Sequence, residues 1–189
     1  GGTSLAGQAV GRALVLDFSK YLNRIVEIDA EAGTVRVEPG IYLENLNRGI
    51  AHTGLMFGPD PSTARIATAG GAVGNNSTGA HSILYGMAGD NVEEAGVILP
   101  DGGEARLRAF TNGEAPKSGR AGGELFSKLA RIKDEFGGII ETEFPKHWRR
   151  ASGYSLNYFL EGSFNPARLL AGSEGTLGVT SELTLKLVQ

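Results

Sequence analysis

Between Gly58 and Gly86 the chain reads GPDPSTARIATAGGAVGNNSTGAHSILYG, and no other stretch limits its fold as much. Glycine costs about 1 kcal/mol per interior helix position, and Ser, Thr and Asn divert the backbone into local hydrogen bonds. Gly and Asn are equally poor strand residues. The stretch therefore reads as an ordered loop whose bare amides can come close to another surface. A solvated linker is the competing reading. Against it, Ile66, Val73, Ile83, Leu84 and Tyr85 are interleaved through the segment, and linkers do not carry such residues. Long loops inside compact domains are usually functional.

Glycine is in excess throughout, with 29 of 189 residues against a usual ~7%. It clusters at 1–11, 70–79 and 172–178, and three separated clusters point to one shared task. The chain opens on GGTSLAGQAVG without an initiator Met, so a piece of a longer protein is expected. Hydrophobic content of 41% is enough to bury a core. The net charge of −3, with no Lys/Arg-rich block, argues against nucleic acid or an anionic membrane as the main partner. With no cysteine, a disulfide, a thiolate nucleophile and a cysteine-held cluster are all excluded from the chain. No apolar run nears the ~20 residues of a transmembrane segment, and no signal sequence is visible, so a cytoplasmic setting is expected.

Strands and helices intermix, giving an α+β expectation. Ala13–Phe18 reads as a buried strand, and Ile25–Asp29 with Thr34–Glu38 as a hairpin turning at Ala30–Gly33. Tyr42–Gly54 has helical spacing with Gly54 as its stop. Val92–Leu99 and Glu104–Phe110 flank the turn Pro100–Gly103, and 111–122 reads as a surface loop. Glu124–Phe136 places Leu125, Leu129, Ile132 and Phe136 on one helix face, ended by Gly137 and Gly138. Asn165 can cap a short helix at Pro166–Ala171, and Val179–Val188 reads as a last strand.

Gly-x-Gly, the P-loop motif and the nucleophile elbow are all absent, which removes the dinucleotide fingerprint and the commonest nucleotidase and hydrolase chemistries. His52, His81 and His147 are too scattered for a metal motif and read as structural or surface residues. What remains is anion binding by backbone. Gly1-Gly2-Thr3-Ser4 can form a nest of amides with two hydroxyls, or merely a hairpin turn. Gly70, Gly71, Gly74 and Gly79 admit close approach of a ligand. Asn75 and Asn76 could bond the edge of a heteroaromatic ring or simply stabilise turns.

The segments GGTSLAGQ, PDPSTARIATAGGAVGNNSTGAHSILYG, LPDGG and GSEGTLGVTSELTL occur in that order. This set resembles the FAD-binding domain of the FAD-linked oxidases related to vanillyl-alcohol oxidase and p-cresol methylhydroxylase (PCMH), most of all the D-2-hydroxy-acid dehydrogenases of D-lactate, glycolate and 2-hydroxyglutarate type. The resemblance spans nearly the whole chain. It implies a PCMH-type two-lobe FAD-binding domain, truncated in its first lobe, with 1–54 as the remainder of that lobe and 55–189 as the second. It implies a pyrophosphate loop at Gly1, Gly2, Thr3, Ser4, Gly7 and Gln8, and a pass beside the flavin at Pro59, Asp60 and Ser62. Thr68, Gly70 and Gly71 correspond to the approach to pyrophosphate and ribityl chain. Gly74, Asn75, Asn76, Gly79 and Ala80 correspond to the isoalloxazine surroundings, and Glu174, Gly178 and Val179 to the adenine end.

The first loop lacks the histidine that tethers FAD covalently in some relatives, so non-covalent FAD is implied. Asn75 stands where many relatives have Thr, which alters the ring contact implied there, and Leu84 stands where they have Arg, so that arginine's role is not carried over. The implied activity is hydride transfer from a small 2-hydroxy acid to FAD, with a further electron acceptor. A preceding segment and a cap domain, lying outside this chain, would complete the enzyme, and no catalytic residue or metal is assigned within it. The chain by itself is expected to be inactive and to bind FAD weakly. Tyr154 and Arg150 are candidates for facing the site, beside the reading as a packed aromatic and a surface cation. An FAD-binding electron-transfer module without its own substrate, or a regulatory nucleotide-binding domain, are the rival functions.

Overall fold

A computed structural model describes residues 1–3, 11–12, 14–109, 119–150, 153–160 and 164–189, with only the backbone of 119–122. One five-stranded antiparallel sheet in the order β1-β2-β5-β3-β4 forms its frame. β1 (Ile25–Asp29) and β2 (Thr34–Val37) are the first hairpin, with Gly33 at φ 64° closing the turn. β3 (Val92–Ile98) and β4 (Glu104–Arg108) are the second, turned through Gly102 at φ 81°. β5 (Val179–Lys186) enters between them from the far end of the chain. Period-two alternation puts Val35, Val37, Ala95, Val97, Leu183 and Leu185 on the buried face. Strands from 1–54 and from 55–189 share this sheet.

The outer face is a ladder of charge with one member from each strand. Arg36 meets Glu27 at 2.6 Å and Glu182 at 3.1 Å, while Arg106 meets Glu182 and Glu94 at 2.9 Å each. Arg106 and Glu182 lie on strands separated by β3. They meet because Gly96, opposite both in the register, has no side chain to stand between them.

α1 (Leu43–Ile50) buries Leu43, Leu46 and Ile50, continues as a 3₁₀ turn and stops at Gly54, φ 74°. The glycine-rich stretch is not wholly a loop. α2 (Ala69–Gly74) and α3 (Ser82–Tyr85) are short helices within it. α2 forms despite three glycines because its ends are held. Thr68 Oγ1 accepts from the Gly71 N–H, and the Ala69 and Gly70 N–H groups donate to the Ile41 and Pro39 carbonyls at 2.8 Å each. Ala72 and Val73 are then buried.

Two further expectations are corrected. Residues 14–18 form no strand, and Leu14, Val15 and Leu16 are exposed; an extended run becomes a strand only when a neighbour takes its N–H and C=O groups. Residue 13 lies outside the described set. α4 (Gly119–Glu143) does not end at Gly137-Gly138. It runs on because Ile140 is buried and Phe144 packs beyond it, offsetting about 1 kcal/mol per glycine. Its core contacts are Phe126 and Ile140 with Leu125 and Leu129 partly buried, while Ile132 and Phe136 face solvent. Residues 119–122, expected as loop, are its first turn, and 111–118 lie outside the described set. Asn165 caps the 3₁₀ turn Pro166–Leu170 through the Ala167 N–H, as expected. Among the described residues no helix is long and apolar enough to cross a membrane, and no cluster of His, Asp and Glu could hold a metal.

Candidate cofactor groove

The three glycine clusters converge. Glu174, at φ 53°, donates its N–H to the Gly74 carbonyl at 2.9 Å, and Gly172 donates to Val73 at 3.2 Å. These bonds lay the C-terminal turn along α2. On the other side Gly1 packs against the 63–67 turn, where a Cβ would lie 3.6 Å from Ala67 and Thr63. Between them is a cleft of about 330 Å³ reached by Gly1, Gly2, Thr3, Asn75, Glu174 and Gly175.

Gly70, Gly71, Gly74 and Gly175 also border a second cleft of about 210 Å³. Its wall is more apolar, with Leu16, Phe18, Val73, Leu170 and Val179. A third, of about 370 Å³, adjoins the first through the neighbouring pairs Ser62–Thr63 and Ser77–Thr78 and shares no lining residue with the second. It is bordered by Asp60, Ser62, Gly79, Ala80, Trp148 and Arg149. The result is one track with an apolar end, a glycine-lined middle and a polar end.

The glycines divide into two kinds. A Cβ on Gly70 would sit 2.7 Å from Pro39 Cβ, one on Gly79 1.8 Å from the Asp60 carbonyl oxygen, and one on Gly178 3.0 Å from the Ile98 carbonyl oxygen. Those three are accounted for by packing of the protein on itself. Gly2 and Gly175 have positive φ and nothing within 4 Å of a Cβ, and Gly71 would touch only Thr68 Oγ1. At these positions the missing side chain opens the groove, which is the shape a phosphate ester needs for close approach of backbone. The α2 amides are already committed to Ile41, Pro39 and Thr68, so α2 offers the groove a bare surface rather than donors.

Gly1, Gly2 and Thr3 border the middle, while Ser4, Gly7 and Gln8 lie outside the described residues. Gly70, Gly71, Gly74, Asn75 and Glu174 also border the middle, Thr68, Gly178 and Val179 the apolar end, and Asp60, Ser62, Gly79 and Ala80 the polar end. Pro59 is buried behind the polar end.

Asn76 does not reach the groove. Its side chain is fully buried, donating to the Arg150 carbonyl at 3.2 Å and Ser155 Oγ at 3.4 Å and accepting from the Gly89 N–H at 2.9 Å. With every polar atom engaged and φ at 48°, it is a tie between segments rather than a ring contact. Tyr154 and Arg150 are absent from the walls of all three clefts. The Tyr154 hydroxyl bonds Thr176 Oγ1 at 2.9 Å, and Arg150 bonds the His147 carbonyl and lies over the Phe144 ring.

Beneath the groove Arg24 grips the buried Glu38 at 2.7 Å, next to the Pro39 carbonyl that receives Gly70. The Arg24 hydrogen bond holds the Glu38 carboxyl below its ordinary range. Sequence reasoning missed Trp148 and Arg149, whose only signal was their place in the short run KHWRR at 146–150, some 70 residues from Gly79.

A family model described as an FAD binding domain matches residues 1–108. The chain is 35% identical to D-2-hydroxyglutarate dehydrogenase of Pseudomonas putida, covering all of this chain and 19% of that protein. It is 31% identical to the Escherichia coli protein of the same name, with the same coverage. It is 32% identical to glycolate oxidase subunit GlcD of Bacillus subtilis, covering 99% of this chain and 30% of that one. A solved structure of alkyldihydroxyacetonephosphate synthase superposes with a TM-score of 0.56 at 20% identity over 90% of this chain and 22% of its own, a likeness of fold. The chain thus spans about a fifth of the D-2-hydroxyglutarate dehydrogenases it matches.

Proposed function

The chain belongs to the FAD binding domain family, and from that premise we propose that its groove holds FAD without a covalent bond, as the cofactor-binding part of an oxidoreductase of 2-hydroxy acids. The observation that supports this best is the order of the three compartments. The apolar end, with Phe18 and Val179, suits adenine, and the glycine-lined middle suits the pyrophosphate. The polar end, with Asp60, Ser62, Gly79 and Ala80, suits the isoalloxazine ring.

Bound there, FAD supplies a hydride acceptor. This chain's residues orient it. Gly2, Gly71 and Gly175 admit the phosphates, and Thr3 offers a hydroxyl beside them. Arg24 and Glu38 fix the Pro39 loop on which α2 rests. The curated relatives are named for D-2-hydroxyglutarate, D-lactate and glycolate, so a small 2-hydroxy acid is the substrate class in this reading. An electron acceptor, a preceding segment and a cap domain complete the enzyme, which we place in the cytoplasm.

The test is an absorbance spectrum of the full-length protein before and after adding each of those three acids. Flavin bands that bleach with one of them support the reading. Absence of flavin refutes it. Flavin that no such acid bleaches refutes the substrate class and favours an electron-transfer module.

A further inference from the structure

We propose that Arg149, with Trp148 beside it, binds the carboxylate of the 2-hydroxy acid at the polar end of the groove. The proposal rests on the flavin reading above, which puts the reacting ring in that compartment. Arg149 and Trp148 come from the segment after α4 and face residues 60–62 and 78–80 across about 370 Å³, room for a small acid beside a ring edge.

Arg149 makes no ion pair with any described carboxylate, although Asp60 borders the same compartment. Asp60 is instead engaged by His81 at 3.3 Å, which leaves the arginine to an incoming anion. Its neighbour Arg150 is committed elsewhere, to the His147 carbonyl at 3.0 Å and the Phe144 ring. A guanidinium presents a planar fork that matches a carboxylate with two parallel hydrogen bonds. Ser62 and Thr78 add hydroxyls that can meet the substrate's 2-hydroxyl or second carboxylate oxygen. Trp148, half exposed and unused by the core, supplies a flat apolar wall that limits competing water.

The test uses the full-length protein with Arg149→Met and Arg149→Lys, assayed with whichever of the three acids reduces the unaltered enzyme and with the neutral amide of that acid. Flavin content is measured separately. Expected for Arg149→Met is unchanged flavin stoichiometry and a KM for the acid raised about 10- to 100-fold, the range of a lost charged hydrogen bond. Turnover of the amide should not change, and Arg149→Lys should recover part of the loss. A KM within about twofold of the unaltered enzyme, or equal losses for acid and amide, overturns the proposal. Loss of flavin in Arg149→Met alone assigns the residue to the cofactor and likewise overturns it, whereas an unaltered protein without flavin overturns the reading it rests on.

Discussion

Gly71→Ala separates a glycine needed by the ligand from one needed by the fold. Gly71 is exposed, lies inside α2 and borders two of the three compartments. Its φ is not positive, so alanine brings no backbone strain, and helix propensity favours alanine by about 1 kcal/mol. Against that gain, the new Cβ lies 3.0 Å from Thr68 Oγ1, the oxygen that caps the Gly71 N–H. Easing that contact strains or breaks a cap worth about 1 kcal/mol. The two terms nearly cancel, so the flavin-free protein should melt within about 4 °C of the unaltered one.

Bound FAD meets a different situation, because a methyl group then intrudes on the groove. Overpacking by one methyl costs about 1–3 kcal/mol, so FAD affinity should fall by roughly 5- to 150-fold. Fluorescence titration of FAD into the stripped full-length protein measures this, with the melt as its companion. Gly70→Ala is the contrast. Its Cβ would lie 2.7 Å from Pro39 Cβ and 3.1 Å from the Pro39 carbonyl, neither of which can rotate away, so the fold itself should lose about 1–3 kcal/mol. Unchanged FAD affinity in Gly71→Ala, with the melt also unchanged, would refute the placement of the cofactor over α2.

Asn76→Ala should cost about 2–5 kcal/mol in urea unfolding, because it orphans the buried Gly89 N–H and puts alanine at φ 48°; a loss below about 1 kcal/mol would contradict the three-way tie. Glu38→Gln tests the clamp under the groove by its pH profile. The folded-state carboxyl sits below its unfolded value, so its stabilisation is present above the unfolded value and fades as pH falls through the folded one. The variant should be less stable near neutrality and should lack that part of the acid decline, and a parallel decline in both proteins would speak against the clamp. Ile140→Ala should cost about 2–4 kcal/mol and Ile132→Ala less than about 1 kcal/mol, and equal costs would show that the helix does not pack beyond Gly137-Gly138 as described.

The two hairpins were legible because Gly33 and the Pro100–Gly103 turn carry their geometry in a few neighbouring residues, and β5 because Leu183, Leu185 and Leu187 alternate without interruption. Features set by distant partners were not. Residues 14–18 have a strand's composition but no neighbouring strand among the described residues. The Gly137-Gly138 pair looks like a terminator until Ile140 and Phe144 are seen packed beyond it. α2 depends on carbonyls of Pro39 and Ile41, some 30 residues earlier, which local propensity does not register. Convergence of the glycine clusters was readable as a shared task. The reason for each glycine was not, because Gly70, Gly79 and Gly178 answer to protein backbone or the Pro39 ring, while Gly2 and Gly175 face open space and Gly71 would meet only Thr68 Oγ1. Asn76 had two local readings, turn or ring contact, and the structure gives it a third, as a link between segments 74 residues apart.

The gap at Gly96 lets opposite charges join hands across the whole outer face of the sheet, leaving no broad oily area there for another protein layer to cover. A second sheet laid on this wall would have to strip water from five charged groups that already satisfy one another. A partner layer is therefore better accommodated on another face of the molecule. Ile83 and Leu84 on α3 stand out to solvent a few residues beyond the polar end of the groove, on a flank free of that barrier.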